Sequence, residues 1–141
     1  MIFLDTNVVS ELLRSHPDLG VLEWSDSLPR EEVCLASVVE AELRAGVERL
    51  PDGRRKREAG RALEGFLRAA FERRVFPFDR AAARIYAGFV ATRRRAGRPV
   101  NVSDALIAAT ARAHGAVLLA TRDTGGFEDC GVALVNPWDQ P

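Results

Sequence analysis

Four short apolar runs, Ile2-Phe3-Leu4, Val33-Cys34-Leu35-Ala36, Val117-Leu118-Leu119-Ala120 and Val132-Ala133-Leu134-Val135, are spread along the chain with helix-like stretches between most of them. Short continuous apolar runs of this kind read as strands buried on both faces, and strands alternating with helices pack as a parallel sheet with helices over it. A fifth segment, Val75-Phe76-Pro77-Phe78, is strand-like but contains a proline, which suits a sheet edge or an extended connector. The expected class is therefore α/β, a layered sandwich with a central, mostly parallel sheet of four to five short strands flanked by helices.

Helical periodicity supports the intervening elements. Val8, Leu12 and Leu13 share a face directly after the first strand, and Ser15-His16-Pro17 ends that helix. A second amphipathic segment is expected to turn Leu19, Leu22 and Leu28 inward before Pro29. Ser37-Val38-Val39-Glu40 matches a capping box, which gives Glu40 a local role. After the Pro51-Asp52-Gly53 turn, a long helix is predicted from Arg54 to Arg74, with Ala59, Leu63, Phe66, Leu67, Ala70 and Phe71 as its apolar stripe. Asp79 is placed to cap the next helix, which stops at Gly97-Arg98-Pro99. Ser103-Asp104 is predicted to open an apolar helix closed by Gly115, and residues 121–129 are expected to form a loop.

Four acids stand where a strand has just ended or a helix has just begun. Asp5 follows Phe3-Leu4, Glu42 lies one turn into the helix after Val33–Ala36, Asp104 opens the buried helix, and Asp123 follows Val117–Ala120. In a parallel sheet such points converge on the edge formed by the carboxyl ends of the strands, where ligands bind. Each acid also has a local explanation. Asp5 and Asp104 suit the amino end of a helix, Glu42 a solvated helix face, and Asp123 a turn. Gathered in one place they repel one another and raise one another's pKa unless protons or a cation compensate. Oxygen-only ligation points to a hard cation, Mg²⁺ or Mn²⁺, and to phosphate chemistry. Thr6 and Asn7 are the polar groups beside Asp5, expected to hold it or to contact the scissile phosphate.

Composition narrows the remaining classes. At 141 residues the chain has the size of one domain, 1–141, and no apolar stretch approaches the ~20 residues that span a bilayer. Asp5 and Glu11 interrupt any secretory h-region, so no membrane association and a cytoplasmic location are expected. Cys34 and Cys130 read as core residues, and His16 and His114 have no partner at soft-metal spacing. There is no GxxxxGK[ST] and no GxGxxG, so nucleotide binding of those kinds has no support. Net charge is zero, but the bases are clustered in Arg54-Arg55-Lys56-Arg57 and Arg93-Arg94-Arg95, which read either as solvated helix faces or as phosphate contacts.

With these residues in view, the chain resembles the PIN-domain ribonucleases, specifically the VapC-type toxins of bacterial toxin–antitoxin pairs in their FitB-like branch. The resemblance runs nearly end to end. It is carried by Phe3-Leu4-Asp5-Thr6-Asn7-Val8-Val9-Ser10-Glu11-Leu12, by Ala41-Glu42-Leu43-Arg44-Ala45-Gly46 and by Ser103-Asp104-Ala105-Leu106-Ile107-Ala108-Ala109-Thr110-Ala111. Ala120-Thr121-Arg122-Asp123 with Phe127, and Val135-Asn136-Pro137-Trp138, complete it. It implies a three-layer PIN-like sandwich in which Asp5, Glu42, Asp104 and Asp123 form the acidic quartet that holds Mg²⁺ or Mn²⁺ for phosphodiester hydrolysis, with Thr6 as the motif hydroxyl. It also implies an RNA substrate, a homodimer, and a small DNA-binding antitoxin that blocks the acidic pocket. The chain departs from the family pattern at one place. Many relatives carry Asn at the position of Asp123 and an acid immediately before the phenylalanine, where this chain has Gly126.

The leading expectation is a metal-dependent endoribonuclease toxin, with Arg54, Arg55, Arg93 and Arg94 as backbone-phosphate contacts. The alternative is a catalytically idle PIN-like domain acting through protein contacts, although such domains usually lose one or more of the acids kept here. A phosphohydrolase for small phosphate esters is disfavoured because Asn7 stands where the second acid of an Asp-x-Asp pair would be.

Overall fold

A computed structural model describes residues 1–140. Strand β1 (Ile2–Leu4) leads into α1 (Thr6–Leu12) and α2 (Leu19–Asp26), then β2 (Val33–Ala36) into α3 (Ser37–Glu48) and α4 (Arg54–Phe71). Edge strand β3 (Val75–Phe76) is followed by α5 (Arg80–Arg95), α6 (Val102–Ala113), β4 (Leu118–Ala120), α7 (Thr124–Phe127) and β5 (Ala133–Val135). Short 3-10 turns sit at Arg30–Glu32 and Pro137–Asp139.

The five strands form one sheet in the order β3-β2-β1-β4-β5, and every pairing is parallel. The strands carry almost no polar side chains because seven helices, among the described residues, flank the sheet. Phe3, Leu4, Cys34, Leu35, Ala36, Leu119 and Ala120 are all buried. Both cysteines are free and buried, as their apolar neighbours indicate. β3 lies at the sheet edge, where Pro77 can end the pairing without leaving a neighbour unsatisfied. No helix is long and apolar enough to cross a membrane among the described residues.

Strand order determines where a site can form. From the central β1 the chain runs outward through β2 to β3, then crosses back to β4 and out to β5. The direction of progression therefore reverses between β1 and β4, and a crevice opens at the carboxyl ends of strands at such a switch point. β1 and β4 are paired in register, Leu4 beside Ala120, so Asp5 and Thr121 emerge side by side. The Asp5 amide continues the ladder by donating to the Ala120 carbonyl at 2.9 Å.

Several local expectations are corrected. No capping box forms at Ser37, because Ala36 is the extended residue before α3 and Ser37 is already helical. Glu40 instead pairs with Arg44 one turn on, at 2.8 Å. α4 ends at Phe71 rather than Arg74, because the chain must turn to feed β3. There the Arg74 carbonyl accepts from the Leu35 amide at 2.9 Å and its guanidinium Nε donates to the Val33 carbonyl at 2.8 Å. In α2, Asp18 caps the Val21 amide, and this phase buries Val21 while leaving Leu19 72% exposed. The loop expected over residues 121–129 contains the short helix α7.

Candidate active site

α6 opens one residue earlier than its sequence predicts, and the difference matters. Asn101 is the cap, its Oδ1 accepting from the Asp104 amide at 2.8 Å, so Asp104 lies in the first turn with its carboxylate not used for capping. Asp5, at the carboxyl end of β1, is only 4% exposed. Its Oδ1 accepts from the Thr6 amide at 2.8 Å and its Oδ2 from the Thr121 hydroxyl at 2.8 Å. One bond to each oxygen fixes the carboxylate and leaves further lone pairs on both. Glu42, half-buried on α3, is oriented by Thr6, whose Oγ1 donates to Glu42 Oε1 at 2.9 Å.

Asp5, Glu42 and Asp104 line one cleft of about 560 Å³ together with Thr6 and Asn7. Asp123 borders it electrostatically, since its charge acts on both Asp5 and Asp104. The Asp123 backbone is tied to the same framework, its amide donating to Thr121 Oγ1 at 3.1 Å. Asn7 Oδ1 accepts from the Arg122 amide at 3.3 Å, which fastens the start of α1 to the loop after β4.

The electrostatics follow from this crowding. Burial, above all, and then the charges of Asp5, Asp123 and Glu42 push the Asp104 carboxyl up from 3.8 to about 6. Burial also raises Asp5, opposed by the hydrogen bonds from Thr121 and Thr6 and reinforced by Glu42 and Asp123. Two carboxylates raised by burial and by the charge of their acidic neighbours, with no nitrogen or sulfur donor among the acids, fit a hard divalent cation. No three His, Cys, Asp or Glu side chains are grouped as a ready-made cage among the described residues.

The basic residues are distributed differently from the sequence expectation. Arg93 is 5% exposed, and its Nη1 donates to the carbonyls of Gly125 at 3.0 Å and Glu128 at 3.3 Å. It holds the α7 segment from beneath and is not a phosphate contact. This corrects the assignment made from its place in an arginine run, which gives no information on which face of α5 it occupies. Arg54, Arg55 and Arg94 are exposed, and none of them lines the cleft. Arg14 and Arg122 do, along with Trp138. Sequence reasoning missed these three and Thr121. For Thr121 a signal existed, a hydroxyl directly after an apolar strand, the same setting that singles out Asp5.

Comparison with known proteins resolves the family. The sequence matches the PIN domain over residues 2–132. The chain belongs to the PIN-domain family. This PIN domain is 44% identical over 139 residues to a VapC ribonuclease of Sinorhizobium fredii, covering 99% of each chain. It is 44% identical over 138 residues to toxin FitB of Neisseria gonorrhoeae, covering 98% of this chain and 99% of FitB. Among solved structures it superposes on a chain of FitAB bound to an IR36 DNA fragment with a TM-score of 0.92 at 41% identity, covering 100% of this PIN domain and 98% of that chain.

Proposed function

We propose that this PIN domain is a metal-dependent endoribonuclease, the toxin of a toxin–antitoxin pair, that hydrolyses RNA phosphodiester bonds. The observation behind this reading is that Asp5, Glu42 and Asp104, each from a different element, line one cleft at the switch point of the sheet, with Asp123 near enough for its charge to act on Asp5 and Asp104. In this reading Asp5, Asp104 and Glu42 would hold Mg²⁺ or Mn²⁺, with Asp123 as the fourth acid. A cation held there would supply activation of a water for attack on phosphorus and compensation of the charge that builds on the phosphoryl oxygens.

The chain's own groups supply position. Thr121 and the Thr6 amide lock Asp5, the Thr6 hydroxyl turns Glu42 into the cleft, and Asn7 fixes the loop that carries Asp123. Arg54, Arg55 and Arg94, exposed outside the cleft, contact the backbone of a longer RNA. The naming of FitB as a toxin, and its counterpart in the DNA-bound FitAB assembly, support a small DNA-binding antitoxin as partner. A homodimer is part of the same reading, as is a cytoplasmic site of action.

The test is cleavage of RNA by the purified chain, freed of antitoxin, in Mn²⁺ or Mg²⁺. Cleavage is expected with metal and not with chelator, and Asp5→Asn is expected to lower kcat at least about 100-fold, the scale for losing a group that stabilises transition-state charge. No cleavage with either metal, or undiminished cleavage by Asp5→Asn, sinks the reading.

A further inference from the structure

The acidic cleft contains one aromatic side chain, Trp138, and a guanidinium already lies on it. Arg122 Cζ is 4.9 Å from the centre of the indole ring. Both residues are fixed at the backbone. Arg122 follows Thr121, whose hydroxyl is bonded to Asp5, and its own amide donates to Asn7. The Trp138 amide donates to Asn136 Oδ1 at 3.0 Å, and the neighbouring Pro137 is buried. The pair is therefore held at a set position beside the acids.

Arg122 shares this cleft with carboxylates, yet among the described residues it enters no ion pair. Arg14, on the same cleft, is by contrast paired with Glu11 at 3.1 Å. Stacking on an indole occupies one face of a guanidinium and leaves its in-plane N–H fork unspent. Arg122 is exposed and lines the cleft, which leaves its guanidinium within reach of a ligand held there. A cation with one open planar face and a free fork fits a ligand that carries both a flat ring and an anion.

We propose that Arg122, laid on Trp138, seats the unpaired nucleotide beside the scissile phosphate. The base stacks on the open guanidinium face, extending the Trp138–Arg122 stack by one layer, and the adjoining phosphate accepts from the fork. Bases inside a duplex have no free face, so the seat selects single-stranded RNA. The proposal rests on the ribonuclease reading above and assigns to Arg122 and Trp138 the choice of substrate at that site.

The experiment uses the full chain with Mn²⁺ and a single-stranded RNA oligonucleotide that it cleaves, together with versions carrying one abasic nucleotide at each position flanking the cleaved bond. Loss of the base at one flanking position is expected to raise KM about tenfold, within the range for a lost base stack, with little change in kcat. Arg122→Lys keeps the charge but not the plane. It should raise KM for intact RNA by a similar factor and erase the abasic penalty, while Trp138→Phe preserves the penalty and Trp138→Leu reduces it. Thermal melts of the variants separate these shifts from loss of fold. An abasic penalty of full size in Arg122→Lys overturns the proposal, as does wild-type KM in that variant. If Arg122→Lys weakens the antitoxin complex and leaves RNA kinetics untouched, the pair belongs to protein recognition and the proposal is likewise overturned. Failure of the wild-type chain to cleave any RNA would instead bring down the ribonuclease reading itself, and this proposal with it.

Discussion

Asp5 is the most enclosed of the four acids proposed to hold metal, and its orientation rests on a hydroxyl 116 positions away. Thr121 is fully buried and donates to Asp5 Oδ2, while its oxygen accepts from the Asp123 amide, so one side chain supports two of the acids. Thr121→Val keeps the shape and removes both bonds. Hydrogen bonds to charged groups contribute roughly 1.5–3 kcal/mol, so kcat is expected to fall about tenfold or more, with Thr121→Ser recovering most of it. Equal activity in Thr121→Val and wild type would show that the hydroxyl is idle. Asp104 yields a second expectation. Its folded-state carboxyl titrates at about 6 against an ordinary 3.8, so the folded chain holds this proton more tightly than the unfolded chain. The stability this confers is fully present below about pH 4 and is lost as pH rises through about 6, leaving the metal-free protein weakened at neutral pH. Asp104→Asn removes the titration, and with the half-exposed setting discounted it should raise the metal-free Tm by about 2–4 °C at pH 7.5 and by nothing at pH 4. Mn²⁺ should stabilise wild type and not the variant at pH 7.5. A Tm difference that is the same at both pH values contradicts this. That Asp5, Glu42 and Asp104 share one cleft is partly legible in the sequence, because each lies just after a buried strand or near the start of a helix; that these acids and Asp123 hold a metal is proposed. Thr121 carries a signal only in its place directly after an apolar strand, and Arg122 and Trp138 as neighbours of the cleft carry none, because only the sheet brings residues 5, 121 and 138 together.

Between residue and fold, the segment from Thr124 to Phe127 decides what Asp123 does. Asp123 caps it, Oδ1 accepting from the Gly126 amide at 3.0 Å, and the carboxylate folds back so far that a Cβ at residue 126 would lie 2.6 Å from Oδ2. The departure from the family pattern is therefore physically coupled. An acid at 123 occupies the space that a side chain at 126 would need, and the absence of a side chain at Gly126 is what lets Asp123 curl into the turn. Gly126→Ala is expected to push the Asp123 carboxylate out of its cap, which crystallography or amide exchange of residues 124–127 would detect. Retention of the cap in that variant would show that the crowding is relieved elsewhere. Beneath the same segment, Arg93 is a buried cation whose partners are carbonyl oxygens, and its Nε has none. Arg93→Met strands those carbonyls, and the expected loss is about 2–4 kcal/mol of stability, measured by urea unfolding. If instead stability holds and only RNA affinity falls, Arg93 contacts substrate after all. The sequence shows the arginine run but not which member faces inward, since Arg93, Arg94 and Arg95 are consecutive and a helix turns successive side chains about 100° apart.

At the scale of the whole molecule, the class of fold follows from buried apolar runs alternating with helices, whereas the order β3-β2-β1-β4-β5 does not, because no local pattern says on which side of β1 a returning strand will pair. That order puts the switch point between β1 and β4, and so makes a site of acids that are otherwise scattered over more than a hundred residues. It also sets the electrostatic problem for binding RNA. The chain has no net charge and its cleft pairs four acids, Asp5, Glu11, Glu42 and Asp104, with only two bases, Arg14 and Arg122, so additional affinity for a long RNA is expected from bases outside the cleft. Arg54 and Arg55 are the exposed pair at the start of α4, although Arg54 is also engaged by Glu58 at 2.7 Å. Each single-strand phosphate neutralised contributes about 0.7 to the slope of log affinity against log salt, so replacing both by Ala should flatten that slope by about 1.4 for a long RNA. For an oligonucleotide short enough to occupy only the cleft, the same variant should leave the slope unchanged, because Arg14 and Arg122 are the bases within reach there. Titration of an uncleavable RNA across a range of KCl concentrations separates the two cases, and identical slopes for wild type and variant on long RNA would place the backbone track on another face, with the exposed Arg94 as the next base to replace.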